Sequence, residues 1–340
     1  MRVCVGTAKG IVIVDGERQG AVTAVSAHPD AIACMAQSCD DPNIIYAGRN
    51  EVADAADFVP AAELAGALFR SQDGGRSWRE LTPRGLRETF WTLAAVPDSA
   101  GGLWAGCSHG RLFYSGDYGD SFEECRALAT LTARIHGSSA RSPYIPHVST
   151  VAFDPHDSAA LYVGVEGAGA FYSADRGQSF QALDSRLPRD VHSLALAGAD
   201  FQLIFATSGR GLYRSRDRGR SWEPVVKGIN RPYLTAVLAT SEGLIYTAGG
   251  AGPPATWLNG DGADALLFES RDGGQSFSSF GELPMARRGM IMQIVHSPWA
   301  HADLFAVSSD GSLLRWGVGE RVVRELASKL PAAFALAILP

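Results

Sequence analysis

The apolar positions of this chain fall in short runs broken by polar, glycine-rich turns, the pattern of short strands. The runs come in sets. A first run, seen as "IACMAQS", "FWTLAAVP", "VSTVAFDP", "VHSLALAG" and "YLTAVLAT", is followed by a second: "IIYAG", "GLWAG", "ALYVG", "LIFAT" and "LIYTA". A third follows, "GALFRS", "GRLFYS", "GAFYS", "GLYRS" or "LLFES", and segments such as "WREL", "FEEC", "FQAL" and "WEPV" close the sets. Between third and fourth runs lies a repeated octapeptide: "SQDGGRSW" (71–78), "SGDYGDSF" (115–122), "SADRGQSF" (173–180), "SRDRGRSW" (215–222) and "SRDGGQSF" (270–277). Four strands per unit, recurring every 42 to 58 residues, describe the blade of a β-propeller.

The two ends complete a ring. "IMQIVHSP", "DLFAVSS", "GSLLRWG" and "RVVREL" form a unit without the octapeptide, and the closing "AFALAILP" (333–340) matches the first strand of a unit. The missing second, third and fourth strands are supplied by "RVCVGT", "GIVIVD" and "AVTAV" near the N-terminus. The expected fold is therefore all-β: one seven-bladed propeller over residues 1–340, closed by a blade shared between 1–27 and 333–340, with no free sheet edge. A six-bladed count leaves one terminal segment unpaired.

The octapeptide sits where a hairpin reverses the chain. Its aspartates, Asp73, Asp117, Asp175, Asp217 and Asp272, are expected to accept backbone N–H bonds in Asx-type turns, helped by the serine hydroxyls. The glycine two residues later takes positive φ at little cost. The aromatic folds back and buries roughly 150–250 Å². The five carboxylates belong to different blades, so they cannot converge on a metal. Their role is structural.

These octapeptides are identified as Asp-boxes, or BNR repeats. Over nearly its whole length the chain resembles the Asp-box propellers, a group of WD40/YVTN/BNR-like repeat proteins that includes sialidases, xyloglucanase-type glycoside hydrolases, sortilin-like receptors and the photosystem II assembly factor. The resemblance implies a fold more than an activity. The Phe-Arg-Ile-Pro segment of sialidases is missing; the nearest fragments are Arg134-Ile135-His136 and Arg231-Pro232. Xyloglucanase-type enzymes use two propellers, and sortilin-like receptors are larger, secreted and disulfide-containing. The single seven-bladed ring is most similar to the photosystem assembly factor and its bacterial relatives.

Composition narrows the partners. The net charge of −6 argues against a general nucleic-acid surface, and no run reaches the ~20 apolar residues of a membrane span. The N-terminus lacks the h-region of a secretory signal. The five cysteines, Cys4, Cys34, Cys39, Cys107 and Cys125, read mostly as buried reduced thiols rather than a disulfide framework. A cytoplasmic location is expected.

Function is expected on the loops. Long insertions occur at 50–66 and 249–265, between second and third strands, and at 126–148, a linker between blades three and four. Strand alternation puts all three on the face opposite the octapeptides, whereas random loop growth would use both faces. The ligand-binding face is expected to use Arg49, His136, Arg141, Tyr144, His147, Arg210, Arg231, Tyr233, Trp257 and Arg287, residue types that dominate interfaces and stack on sugars. Hydrolysis would need two carboxylates about 5–9.5 Å apart, for which Glu51, Glu166, Asp261 and Asp264 are the candidates. "NGDGAD" lacks the spacing of an EF-hand, and His136 and His147 have no companion at zinc-like spacing. "GTAKG" and "GGAGPP" fit no phosphate-loop pattern, with no helix expected after either. No metal or cofactor is expected. The first reading is a non-catalytic binding or scaffolding propeller that takes a protein or carbohydrate ligand on the loop-rich face. The alternative is a glycoside hydrolase, sialidase-like or otherwise carbohydrate-active.

Overall fold

A computed structural model describes residues 1–25, 31–50, 66–83, 86, 88–137, 145–198, 202–259, 262–299 and 302–340; the side chains at 24–25, 136–137 and 258–259 are outside that description. The chain forms seven four-stranded antiparallel sheets. Counting from the shared blade, the innermost strands are Ala333–Leu339, Ile32–Gln37, Phe90–Ala95, His147–Asp154, Val191–Ala197, Tyr233–Ala239 and Ile291–His296. Ring closure follows the sequence expectation. Ala333–Leu339 pairs antiparallel with Arg2–Thr7 from Leu339↔Arg2 onward, and Gly10–Asp15 and Val22–Val25 complete blade one.

The core lies between adjacent blades. Tyr46 and Leu68 of blade two pack with Phe90, Leu103 and Phe113 of blade three, and Val3 and Val14 of blade one pack with Phe305 and Leu313 of blade seven. Such wedge-shaped contacts need small residues where one blade's second strand meets the next blade's first. A Cβ on Gly48 would lie 2.7 Å from that of Phe90, and one on Gly106 2.6 Å from Val148 Cγ1.

The octapeptides form one repeated hydrogen-bond cage. In the first, the Ser71 hydroxyl donates to Asp73 Oδ1 (2.8 Å) and accepts from the Gly75 amide (2.9 Å). The Ser77 amide and hydroxyl donate to the two Asp73 oxygens at 2.9 and 2.6 Å. Asp117, Asp175, Asp217 and Asp272 are held in the same way. Gly75 has φ +81, and the preceding position is left-handed too, even in Tyr118, Arg176 and Arg218. The cages also join blades. Gly75 faces Ile13 and Cys4 of blade one, Gly119 faces Leu81 of blade two, and Gly274 faces Phe205 of blade five.

Two helices correct the reading of the insertions as irregular loops. Helix α1 (Arg126–Gly137) opens the linker between blades three and four, with Leu128 buried and Leu131 and Ile135 packed beside it. Helix α2 (Pro254–Asn259) follows "GGAGPP", where no helix was expected. Its six residues seat Trp257 against Ala263 and Met290. Cys4, Cys34 and Cys107 are buried, Cys125 is half-buried and Cys39 exposed; all five are free thiols.

Candidate functional site

Every innermost strand breaks register by one residue near its start. The skipped residues are Phe334, Ala33, Trp91, Ser149, His192, Thr235 and Met292, one per blade. A bulge re-aims a side chain that regular pairing would turn into the sheet. All seven line an axial cavity of about 220 Å³. Three of them also tie blades together: Ser149 Oγ donates to Val191 O (2.5 Å), Thr235 Oγ1 to Ile291 O (2.5 Å), and His192 Nδ1 meets Leu234 O at 2.6 Å.

Around the channel mouth on the face opposite the octapeptides, an arc of rings crosses four consecutive blades. Trp91 stacks on His147 at 3.6 Å between centroids, and its Nε1 donates to Ser108 Oγ. His147 Nε2 lies 3.1 Å from Glu166 Oε2; the two are register partners across blade four. His192 of blade five meets Tyr233 of blade six at 4.9 Å, and Tyr233 meets Trp257 edge-on at 5.8 Å. Between Glu166 and His192 lies Asp190. Its Oδ1 is 3.2 Å from His192 Nε2, and its Oδ2 accepts the Gly209 amide at 3.0 Å. Burial pulls the His192 imidazole toward neutrality, but the Asp190 hydrogen bond and the nearby Glu166 charge prevail and raise its pKa.

A second cluster is built on blade six. Asp264 Oδ2 receives Arg231 Nη2 at 2.6 Å, its carbonyl accepts Arg231 Nε at 2.7 Å, and Arg287 Nε stands 3.4 Å from Oδ1. Asp264 is thus a clamped carboxylate.

The expected site residues separate accordingly. The fold brings His147, Glu166, Tyr233 and Trp257 into the arc, and Arg231, Asp264 and Arg287 into the clamp. Trp257, expected as an exposed contact, is 7% exposed and donates Nε1 to Gly252 O at 2.8 Å; it anchors the insertion from below. Arg210 is exposed and Arg49 half-buried at the root of its insertion. Glu51, Arg141, Tyr144 and Asp261 lie outside the described residues, and His136 is described only as part of α1.

Trp91, Asp190 and His192 were missed. Their signal stands in the aligned first strands, whose second column reads Ala33, Trp91, Ser149, His192, Thr235, Met292, Phe334. A position that varies from alanine to tryptophan among otherwise repetitive strands is not packing the core.

No family model and no curated protein matches the chain. Solved structures do. The GH74 xyloglucanase from Xanthomonas campestris is 16% identical with a TM-score of 0.68, over 92% of this chain and 49% of its own. YCF48 bound to a D1 peptide is 15% identical with a TM-score of 0.55, over 87% of this chain and 82% of that one. YCF48 from Cyanidioschyzon merolae is 14% identical with a TM-score of 0.56, covering 88% and 87%. The likeness is one of fold. This chain spans about half the length of the xyloglucanase, and among the described residues no helix is long and apolar enough to cross a membrane.

Proposed function

We propose that this chain is an Asp-box propeller that binds an extended segment of a protein partner over the mouth of its axial channel and carries out no chemistry on it. The observation behind this reading is the pair of half-buried rings Trp91 and Tyr233 at the mouth, each backed by a histidine whose side chain is buried, His147 and His192. The exposed faces of Trp91 and Tyr233, held in place by the rings behind them, supply contact area with little entropy left to lose on binding, the property of binding hot spots. The two described candidates for a hydrolytic pair also favour binding: Asp264 is clamped by two arginines and Glu166 is engaged by His147. Resemblance in fold to a YCF48 structure bound to a peptide is compatible with this use of the ring.

A displayed library of random peptides selected on the purified protein tests the proposal, with xyloglucan oligosaccharides and sialosides assayed in parallel. Enriched peptides should lose about 2 kcal/mol or more of binding to Trp91→Ala and Tyr233→Ala, with no sugar released. Glycan cleavage that disappears in Glu166→Gln would replace this reading with the hydrolase.

A further inference from the structure

His192 does more than its place in the ring requires. At the equivalent bulges of the neighbouring blades, Ser149 and Thr235 make the same link to the next blade's carbonyl with a hydroxyl. A carbonyl oxygen only accepts, so the 2.6 Å contact with Leu234 O puts a proton on His192 Nδ1. Nε2 is then the nitrogen that faces the carboxylates, with Asp190 Oδ1 at 3.2 Å. One ligand atom each from Glu166, Asp190 and His192 lie within 4.8 Å of one another, the one such His/Cys/Asp/Glu group among the described residues.

We infer that Glu166, Asp190 and His192 form a site for a divalent first-row transition-metal cation at the channel mouth. Each ligand has its remaining atoms held from behind. His147 Nε2 contacts Glu166, the Gly209 amide binds Asp190 Oδ2, and Leu234 O fixes the His192 tautomer. Outer partners of this kind orient metal ligands and tune their basicity. One imidazole nitrogen with two carboxylate oxygens suits zinc-like ions; the nitrogen selects against magnesium and calcium, which prefer all-oxygen shells. Ligands bound at about 2.1 Å in a tetrahedral shell lie about 3.4 Å apart, so the widest pair must close by up to about 1.4 Å. Asp190, 43% exposed, has room to do so. Three protein ligands leave a coordination position open, and His192 borders the axial cavity. The three residues come from two blades, so no chain spacing announces them. The inference does not depend on the partner proposed above.

Cobalt(II) and zinc(II) are the probes, added to metal-stripped protein with magnesium as control. Wild type should take up one equivalent of cobalt with visible ligand-field absorption, and either ion should raise the melting temperature. Magnesium should do neither. His192→Ser, which copies the neighbouring bulge and keeps a donor for Leu234, should fold and lose both responses. The near-isosteric Glu166→Gln and Asp190→Asn should bind more weakly by about tenfold or more, and His147→Phe, which keeps a ring against Trp91, by about tenfold to a hundredfold. No uptake by wild type, or equal uptake by His192→Ser, would overturn the inference; a proton alone would then hold the three groups together.

Discussion

Ser71 is 1% exposed, yet its hydroxyl serves three groups: it donates to Asp73 and accepts from the amides of Asp73 and Gly75. Removing it strands a buried amide. Ser71→Ala should therefore destabilise by about 1–3 kcal/mol, measured by urea denaturation, and Ser115→Ala should match it because the cage is the same. A cost near zero for both would mean that water replaces the hydroxyl. The aspartates carry a pH consequence. Slight burial alone would raise the Asp73 pKa, but hydrogen bonds from Ser77 and Ser71 hold it at about 2. Asp117, Asp175, Asp217 and Asp272 are lowered by equivalent bonds. With unfolded aspartate near 3.9, the unfolded chain binds more protons in this window. The five cages thus stabilise fully above about pH 4, and that contribution disappears as pH falls through the folded values. Thermal melts should be insensitive to these groups above about pH 4 and drop steeply toward pH 2. A flat profile through that range would contradict the cage assignment.

Between elements, backbone proximity matters as much as side chains. The backbone carbonyl of Lys227, where the chain leaves blade five, accepts the amide of Phe277 in the blade-six cage at 3.0 Å. Gly228 follows with φ +84, and a Cβ there would fall 1.7 Å from Phe277 O. Gly228→Ala should cost more than about 1 kcal/mol, because the conformation is unsuited to L-residues and no space exists for the methyl group. Differential scanning calorimetry would show it; an unchanged melting temperature would mean that the two blades separate freely there. At this scale the sequence was legible where a turn repeated and illegible where the period changed. The octapeptides exposed every third-to-fourth hairpin of blades two to six. Helix α1 was passed over although Leu128, Leu131 and Ile135 recur at helical spacing, because an insertion read for loop chemistry was not tested for helical periodicity.

The whole ring depends on one non-local pairing, Ala333–Leu339 on Arg2–Thr7. Deleting residues 333–340 would uncover the edge of a strand that is otherwise buried and remove Phe334 from the channel wall. The shortened chain should melt at a lower temperature and self-associate through the exposed edge, seen by size-exclusion chromatography; an intact monomer with unchanged melting would show that six blades close without it. The ring was readable from the chain because closure obeys the repeat. The site was not, because it depends on a register slip. Shifting one residue in a strand changes the face its side chain serves, and no single strand's apolar pattern marks Trp91 or His192 as the skipped position; only the seven first strands set side by side do.

The seven bulges have a consequence for adaptation. Each places one residue outside the pairing of its own sheet while the residues on either side keep the blades packed. Channel chemistry can therefore drift one blade at a time, provided the links that Ser149, His192 and Thr235 make to the next blade are kept or replaced by another donor. The wall already reads alanine, tryptophan, serine, histidine, threonine, methionine and phenylalanine around the ring. Such a wall is a seven-letter word written on a fixed frame, and a library that randomises Ala33, Trp91, Met292 and Phe334 freely but keeps a hydrogen-bond donor at 149, 192 and 235 would sample new specificities without first having to rescue a broken core.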